Sequence, residues 1–245
     1  MIAELPVLAE EFNNRLLGCQ DADSFLDVNQ FEWIKDVEAL ADEMTLETRA
    51  LLDTLSRVPA FGDIQEQQRP LSGTGWRVFP FLVYGHRIEW SLERFPATRE
   101  AISRIPGCIT AMFSIMQPGQ HLVPHTGPSS AVLRYHLATH VPEPESCAIR
   151  VADQTRHWQQ GQSLVLNDYR EHEAWNHGSQ PRVVLFVDFK RPVPAALRPD
   201  RERVIQQFKE SEFSFEIVRN FNHWLEEYGD DIATAIDSFS QPSPH

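Results

Sequence analysis

Cysteine is the scarcest residue type in this sequence. There are three, Cys19, Cys108 and Cys147, with no CxxC among them. That argues against a disulfide framework, and it fits a reducing compartment. Positive charge is also short: 22 Lys and Arg stand against 35 Asp and Glu, for a net −13. Long contacts with nucleic-acid phosphates or an anionic membrane are therefore not expected, although a local basic pocket remains open. No window approaches the roughly 18 uninterrupted apolar residues of a membrane span. The first residues, MIAELPVLAEEFNNRLLG, are acidic and broken by Pro6, and lack the basic stretch and apolar run of a secretory signal. The expectation is a soluble cytoplasmic protein with no nucleic-acid or membrane partner. Hydrophobic residues make up 42% of 245, enough for a substantial core in one domain, alone or with appended helices.

The residues that are present change texture twice. Leu8, Phe12 and Leu16 at i, i+4 spacing predict a short helix over 7–17, and 29–57 reads as mainly helical. Residues 59–75, with Pro59, Gly62, Pro70, Gly73 and Gly75, read as loop. From Trp76 the chain becomes aromatic and β-branched, as strands are. A helix over 94–104 is followed by short strands at 109–115, 132–139, 148–152, 163–166 and 183–189, divided by turn residues. That spacing argues for an antiparallel jelly roll rather than βαβ units. Residues 200–240 return to helix, with a face supplied by Val204, Phe208, Phe213, Phe215, Val218, Phe221, Leu225 and Ile232. The plan is mainly β with flanking helices: a helical and loop region over 1–75, a β-core over 76–192 and a helical region over 193–245, the helices packing on one sheet.

The chemistry is concentrated between His125 and Arg182. His125 lies in Pro124-His125-Thr126-Gly127-Pro128, a constrained turn, and His172 follows 47 positions later (172 − 125). A lone histidine in a turn is ordinarily a surface or capping residue. Two neutral imidazoles brought together from different strands can hold a divalent iron. Arg182 opens the apolar strand Val183-Val184-Leu185-Phe186-Val187, where a guanidinium must find solvent, a partner or an anion. It is either an edge arginine paired with Glu171 or Glu173, or a fork gripping the distal carboxylate of 2-oxoglutarate. Arg134 and His136, two apart, share one strand face, with Leu133, Tyr135 and Leu137 on the other. Two such cations on an inward face are costly without an anion between them. Ser114 and Met116 have the same spacing and are candidates to line the same pocket. Gly127 stands where a His-x-Asp motif would carry its carboxylate; Asp153, Asp168, Glu171 and Glu173 are remote replacements, and a two-histidine site completed by water or substrate is favoured.

These residues resemble the aspartyl/asparaginyl β-hydroxylase family of iron(II)- and 2-oxoglutarate-dependent oxygenases. The resemblance runs from about Trp76 to Pro192. It includes Ser114-Ile115-Met116-x-Pro118-Gly119, Pro124-His125-Thr126-Gly127-Pro128, Leu133-Arg134-x-His136-Leu137, Thr155-Arg156-x-Trp158-x-x-Gly161, Asp168-x-x-Glu171-His172-Glu173-x-Trp175, and the strand with Arg182 and Val187-Asp188. It implies a double-stranded β-helix of the jelly-roll, cupin-like kind. It implies His125 and His172 as catalytic iron ligands, Arg182 and His136 as 2-oxoglutarate ligands, and Ser114, Met116 and Arg134 nearby. It places Trp76 near the substrate. The implied reaction uses Fe(II), 2-oxoglutarate and O2, releases succinate and carbon dioxide, and hydroxylates a C–H bond.

The substrate expected is a free amino acid, an amino acid held on a carrier protein, or a peptide. Arg77, Arg150 and Arg156 are candidates for its carboxylate, beside the ordinary role of surface solvation. Two other classes remain: a metal-binding cupin-type protein that does not use 2-oxoglutarate, and an inactive binding module of the same fold.

Overall fold

The computed structural model describes residues 7–17 and 23–240, so Cys19 and Pro6 lie outside the described residues. Helix α1 (Val7–Leu17) and a two-residue strand β1 (Phe25–Leu26) lead into α2 (Trp33–Glu38), α3 (Ala41–Asp53), α4 (Phe61–Ile64) and α5 (Arg69–Ser72). Strands β2 (Trp76–Val83) and β3 (His86–Arg87) are followed by α6 (Glu89–Arg94) and α7 (Pro96–Arg104). Then come β4 (Cys108–Met116), β5 (His121–His125), β6 (Val132–His140), β7 (Cys147–Val151), β8 (Gln154–His157), β9 (Ser163–Leu166), β10 (His172–Asn176) and β11 (Arg182–Lys190). Helices α8 (Arg198–Lys209) and α9 (Glu212–Ser240) complete the described chain. No helix among the described residues is long and apolar enough to cross a membrane.

The strands form two antiparallel sheets. One has seven strands in the order β1-β9-β6-β11-β4-β2-β3; the other has four, β5-β10-β7-β8. This is the antiparallel jelly roll expected from the strand spacing and the double-stranded β-helix that the resemblance implies. Alternation along each strand assigns the two faces of the larger sheet. Tyr135, Leu137, Leu185, Val187, Phe113 and Ile115, all buried, take the face covered by helices. Arg134, His136, Arg182, Asp188, Ser114 and Met116 take the other, facing the smaller sheet. Helix α9 lays Ile217, Phe221, Leu225, Ile232 and Ile236 inward at helical spacing and packs on α3 and β2. Phe215, placed on that face by the sequence pattern, is exposed instead and lies beside His86.

Four differences from the sequence reading have local causes. Residues 59–75 contain the single-turn helices α4 and α5, since Pro70 is tolerated in a first helical turn. The helix expected over 94–104 starts at Pro96, and non-helical Phe95 (φ −120°, ψ 74°) before that proline separates it from a further helix, α6. Strand β1 is too short to carry a pattern. His125 closes a strand rather than sitting in a turn: β5 is an edge strand, where the missing N–H of Pro124 costs no ladder bond.

Candidate functional site

Antiparallel pairing of β5 with β10 places His125 directly opposite His172, with ring centroids 4.2 Å apart. Each ring is oriented by its own strand. His125 Nδ1 donates to Val123 O at 2.7 Å, and His172 Nδ1 donates to Arg170 O at 2.9 Å. Both Nδ1 atoms carry the proton in those bonds, so both Nε2 atoms keep a lone pair. Burial pushes the His125 imidazole below its ordinary pKa. Burial, with the His125 and Arg134 charges, holds His172 well below it. The pair is thus neutral near pH 7, as metal ligation requires. Among the described residues no cluster of three or more His, Cys, Asp or Glu side chains is arranged to hold a metal. The site is a pair.

Gly127 explains why. A Cβ at this position would lie 2.1 Å from Asp168 Oδ2 and 2.7 Å from its Cγ. The Gly127 N–H also donates to Asp168 O at 2.7 Å. Close approach of a second carboxylate, not an unusual backbone angle, demands glycine here. The space of the missing side chain is filled by Asp168, which is fully buried, with Oδ2 2.9 Å from Arg134 Nη2 and no hydrogen-bond partner on either oxygen. Burial raises its pKa against the pull of Arg134 and Arg191.

Arg134 is clamped. Its Nε donates to Asp188 Oδ1 at 2.9 Å, its Nη2 reaches Asp188 Oδ2 at 3.2 Å, and its guanidinium lies 4.1 Å over the Phe186 ring. Burial works against its charge, and Asp168 and Asp188 more than offset this. Asp188, pressed by burial against the pull of Arg134, is pushed up to about 6. The anion between the cations, expected to be a ligand, is for Arg134 a pair of the protein's own carboxylates.

Arg182 has no such match. It is 2% exposed; Nη1 donates to Ser114 O at 3.1 Å, the guanidinium sits 4.3 Å over Trp158, and Nε has no partner. Glu171 and Glu173 pair with Arg150 on the outer face of the smaller sheet, not with Arg182. Burial lowers the Arg182 pKa to about 10, so it stays charged near pH 7. Trp158 Nε1 donates to His136 Nδ1 at 3.3 Å, leaving the His136 proton on Nε2, which is buried and unpartnered. Burial, with Arg134 and Arg182, holds His136 well below its ordinary pKa. Two orphaned donors, one cationic, thus remain inside the β-core beside the histidine pair. An anion with planar oxygens satisfies both.

The other predicted residues divide cleanly. Met116 is opposite both Arg182 and Trp76 in register, and Trp76 Nε1 donates to Ser114 Oγ at 3.0 Å. Arg77 lies on the opposite face of β2 from Trp76, bonded to Val58 O; Arg150 faces outward; exposed Arg156 lies 5.7 Å over Phe25. None of these three borders the cavity described next. Sequence reasoning quoted Asp188 and Trp158 within its motifs but gave neither a role. Asp188 lies six residues after Arg182 on one strand, hence on the same face, a parity the sequence already shows.

Beside His125, Thr126 and Gly127 opens a cavity of about 330 Å³, also bordered by Trp76, Arg134, Asp188 and a set of apolar side chains from β2, β4, β11 and the α8–α9 corner. It is a substrate-sized space at one end of the histidine pair.

With this geometry in view, the likeness to known proteins is informative. The sequence model of the family described as Aspartyl/Asparaginyl beta-hydroxylase matches residues 38–192. An ornithine lipid ester-linked acyl 2-hydroxylase from Rhizobium tropici is 42% identical over 174 residues, 70% of this chain and 62% of that protein. The aspartyl/asparaginyl beta-hydroxylase of Homo sapiens is 36% identical over 133 residues, 52% of this chain and 17% of that protein. The chain thus spans less than two thirds of the length of either relative. Among solved structures, a cupin domain of a transcriptional regulator from Enterobacter cloacae matches over 48% of this chain and 99% of its own length, at 12% identity and a TM-score of 0.34.

Proposed function

The chain belongs to the aspartyl/asparaginyl β-hydroxylase family, and from that premise we propose that it is an iron(II)- and 2-oxoglutarate-dependent hydroxylase whose metal is held by two histidines alone. The observation that carries this reading is the pair of orphaned donors, Arg182 Nε and His136 Nε2, buried beside the opposed rings of His125 and His172. A jelly roll that held a metal but no dicarboxylate would leave both donors permanently unpaired, at a cost of about 1–3 kcal/mol each. A binding module with no metal would have no use for two buried, neutral, backbone-oriented imidazoles.

The donor set fits the groups it would hold. Two Nε2 atoms on adjacent strands suit a divalent iron. The Arg182 fork, fixed by Ser114 O below and Trp158 behind, suits the distal carboxylate of 2-oxoglutarate, with His136 donating beside it. When bound, iron and 2-oxoglutarate supply the oxidising step, with release of succinate and carbon dioxide. The chain supplies the rest. Val123 O and Arg170 O fix the imidazole orientation. Trp158 fixes the His136 tautomer. Arg134 holds the Asp168 carboxylate in the space above Gly127. The buried floor of the core keeps bulk water from the reacting centre.

The substrate enters by the cavity beside His125. Its apolar walls direct the amino-acid, aminoacyl or peptidyl expectation toward members that carry an apolar chain; the acyl group named for the Rhizobium tropici relative is of that kind. Anaerobic Fe(II) with 2-oxoglutarate is expected to give a visible charge-transfer band with this protein. His172→Ala should abolish the band; an unchanged band in that variant overturns the ligand assignment. A succinate-release assay across amino acids, acylated amino acids and carrier-loaded amino acids then identifies the substrate by its stimulation of turnover.

A further inference from the structure

The cavity beside His125 has unusual walls for a family named after acidic side chains. Arg134 is the one arginine or lysine among the described residues lining it, and Asp168 and Asp188 already match its charge. The remaining ionised side chains on its border, Asp188 and Glu212, are acidic. A substrate carboxylate entering here meets like charge and no free cation, which costs rather than stabilises. An apolar chain meets Met112, Phe186, Phe208, Phe213 and Ile217.

The register of the larger sheet shows how far that chain can run. Arg134 pairs with Asp188, Asp188 with Thr110, and the Tyr84 N–H donates to Thr110 Oγ1. From β6 to β2 is three strand spacings, about 14 Å. At that far edge Tyr84 has φ 46°, a left-handed conformation that a bulky side chain rarely adopts. Its ring stacks on Phe208, 5.4 Å away and 19° from parallel, and meets Phe213 edge-on at 6.5 Å. The strained residue aims an aromatic ring at the α8–α9 corner, and Tyr84, Phe208 and Phe213 together border the cavity there.

That corner is fixed in place. Ser211 Oγ and Ser214 Oγ both donate to Phe208 O, at 2.6 and 2.8 Å. Gln65 Nε2 donates to Glu216 at 2.7 Å and to Phe213 O at 3.3 Å, and His86 Nε2 donates to Lys209 O at 2.8 Å. Most polar groups at the turn are occupied by the protein itself, so the corner is held in place and presents Phe208, Phe213 and Ile217 to the cavity, with Ser211 and Glu212 beside them. It is an end wall and not a lid.

We infer that the cavity receives an unbranched apolar chain of the substrate, of fatty-acyl type, and that the α8–α9 corner, outside the family's matched residues 38–192, sets the chain length it accepts. This assignment rests on the hydroxylase reading for its purpose, but its test does not. Equilibrium binding of N-acylglycines of graded chain length, measured calorimetrically with the metal-free protein, reads the wall directly. Affinity rises about fourfold per methylene until the wall is met and then stops rising or falls. Phe213→Ala moves that break to longer chains and Phe213→Trp to shorter ones; both act at a partly exposed residue. Phe208→Ala gives a second lengthening variant if Phe213→Ala does not fold. Affinity independent of chain length, tighter binding of unacylated amino acids, or a break that stays put in these variants overturns the assignment. A charge-transfer band that persists through such a result would leave the reaction class standing without it.

Discussion

Arg134 and Arg182 make an instructive pair. Arg182 is buried and Arg134 mostly so, both project from the same face of the seven-stranded sheet, and each lies about 4 Å over an aromatic ring, Phe186 and Trp158 respectively. Arg134 meets two carboxylates, Asp168 and Asp188; Arg182 meets a single carbonyl and leaves Nε bare. A buried cation with its counter-ions built in is a structural element. A buried cation without them fits the proposed anion site, where the protein would bear the cost of the unmatched charge until an anion arrives. The two were indistinguishable as arginines on strands; their partners separate them.

The sharpest way to break this comparison is to remove each charge and see what is lost. Arg134→Met leaves Asp168 and Asp188 buried together without their cation and should cost about 3–5 kcal/mol of unfolding free energy in a denaturant titration. Arg182→Met should cost no folding stability, since it relieves an unmatched charge. It should weaken 2-oxoglutarate by about 2–5 kcal/mol, read as the loss of the thermal shift that the cosubstrate gives the native protein. If the two variants exchanged these phenotypes, the assignment of structural and binding arginine would be reversed.

Smaller changes test the neighbours of each. Gly127→Ala pushes a methyl into the Asp168 carboxylate and should cost about 1–3 kcal/mol. Most of that cost should vanish in an Asp168→Ala background, because the clash is with that side chain. An undiminished cost would mean that the Asp168 carbonyl, 3.1 Å from the same Cβ position, is the true obstacle. On the Arg182 side, burial holds His136 well below its ordinary 6.5. Below that pH the unfolded chain binds a proton there that the folded chain refuses, so stability falls as pH falls. Between about pH 5 and 6.5 the native protein should lose up to about 1.4 kcal/mol per pH unit more than His136→Gln. Equal slopes would show that His136 titrates freely in the folded state.

Much of this molecule could be read before it was seen. The alternation of Leu133, Tyr135 and Leu137 with Arg134 and His136 assigned both faces of β6, and the apolar run after Arg182 assigned β11, because interior strands must bury one or both faces. Strand β5 could not be read: Pro118, Pro124 and Pro128 look like turn signals, and only its place at a sheet edge makes Pro124 acceptable. The candidates His125, His172, Arg182 and His136 could be listed from the sequence by residue type and by the family resemblance, and the strands bring His125 opposite His172. The role of Arg134 could not be read in the same way. Its partners lie 34 and 54 positions away (168 − 134 and 188 − 134), and pairing at that distance is decided by strand register, which a local pattern does not encode. The α8–α9 corner was read as helix with an apolar face, but not which apolar residues would look into a cavity and which into the core.

The place of β5 at the edge of the four-stranded sheet has one more consequence. It is five residues long, has a single neighbour and contains a proline, so it is among the segments that open most easily. Yet it carries half of the histidine pair. On the proposed reading, affinity for metal would therefore be tied to the fraying of one short strand. Substitutions at exposed Val123, which touches no ligand directly but whose carbonyl orients His125, would tune occupancy by altering how often that strand lets go. Amide exchange along 121–125 becomes a gauge of loading, slow when the two imidazoles are joined and fast when they are not.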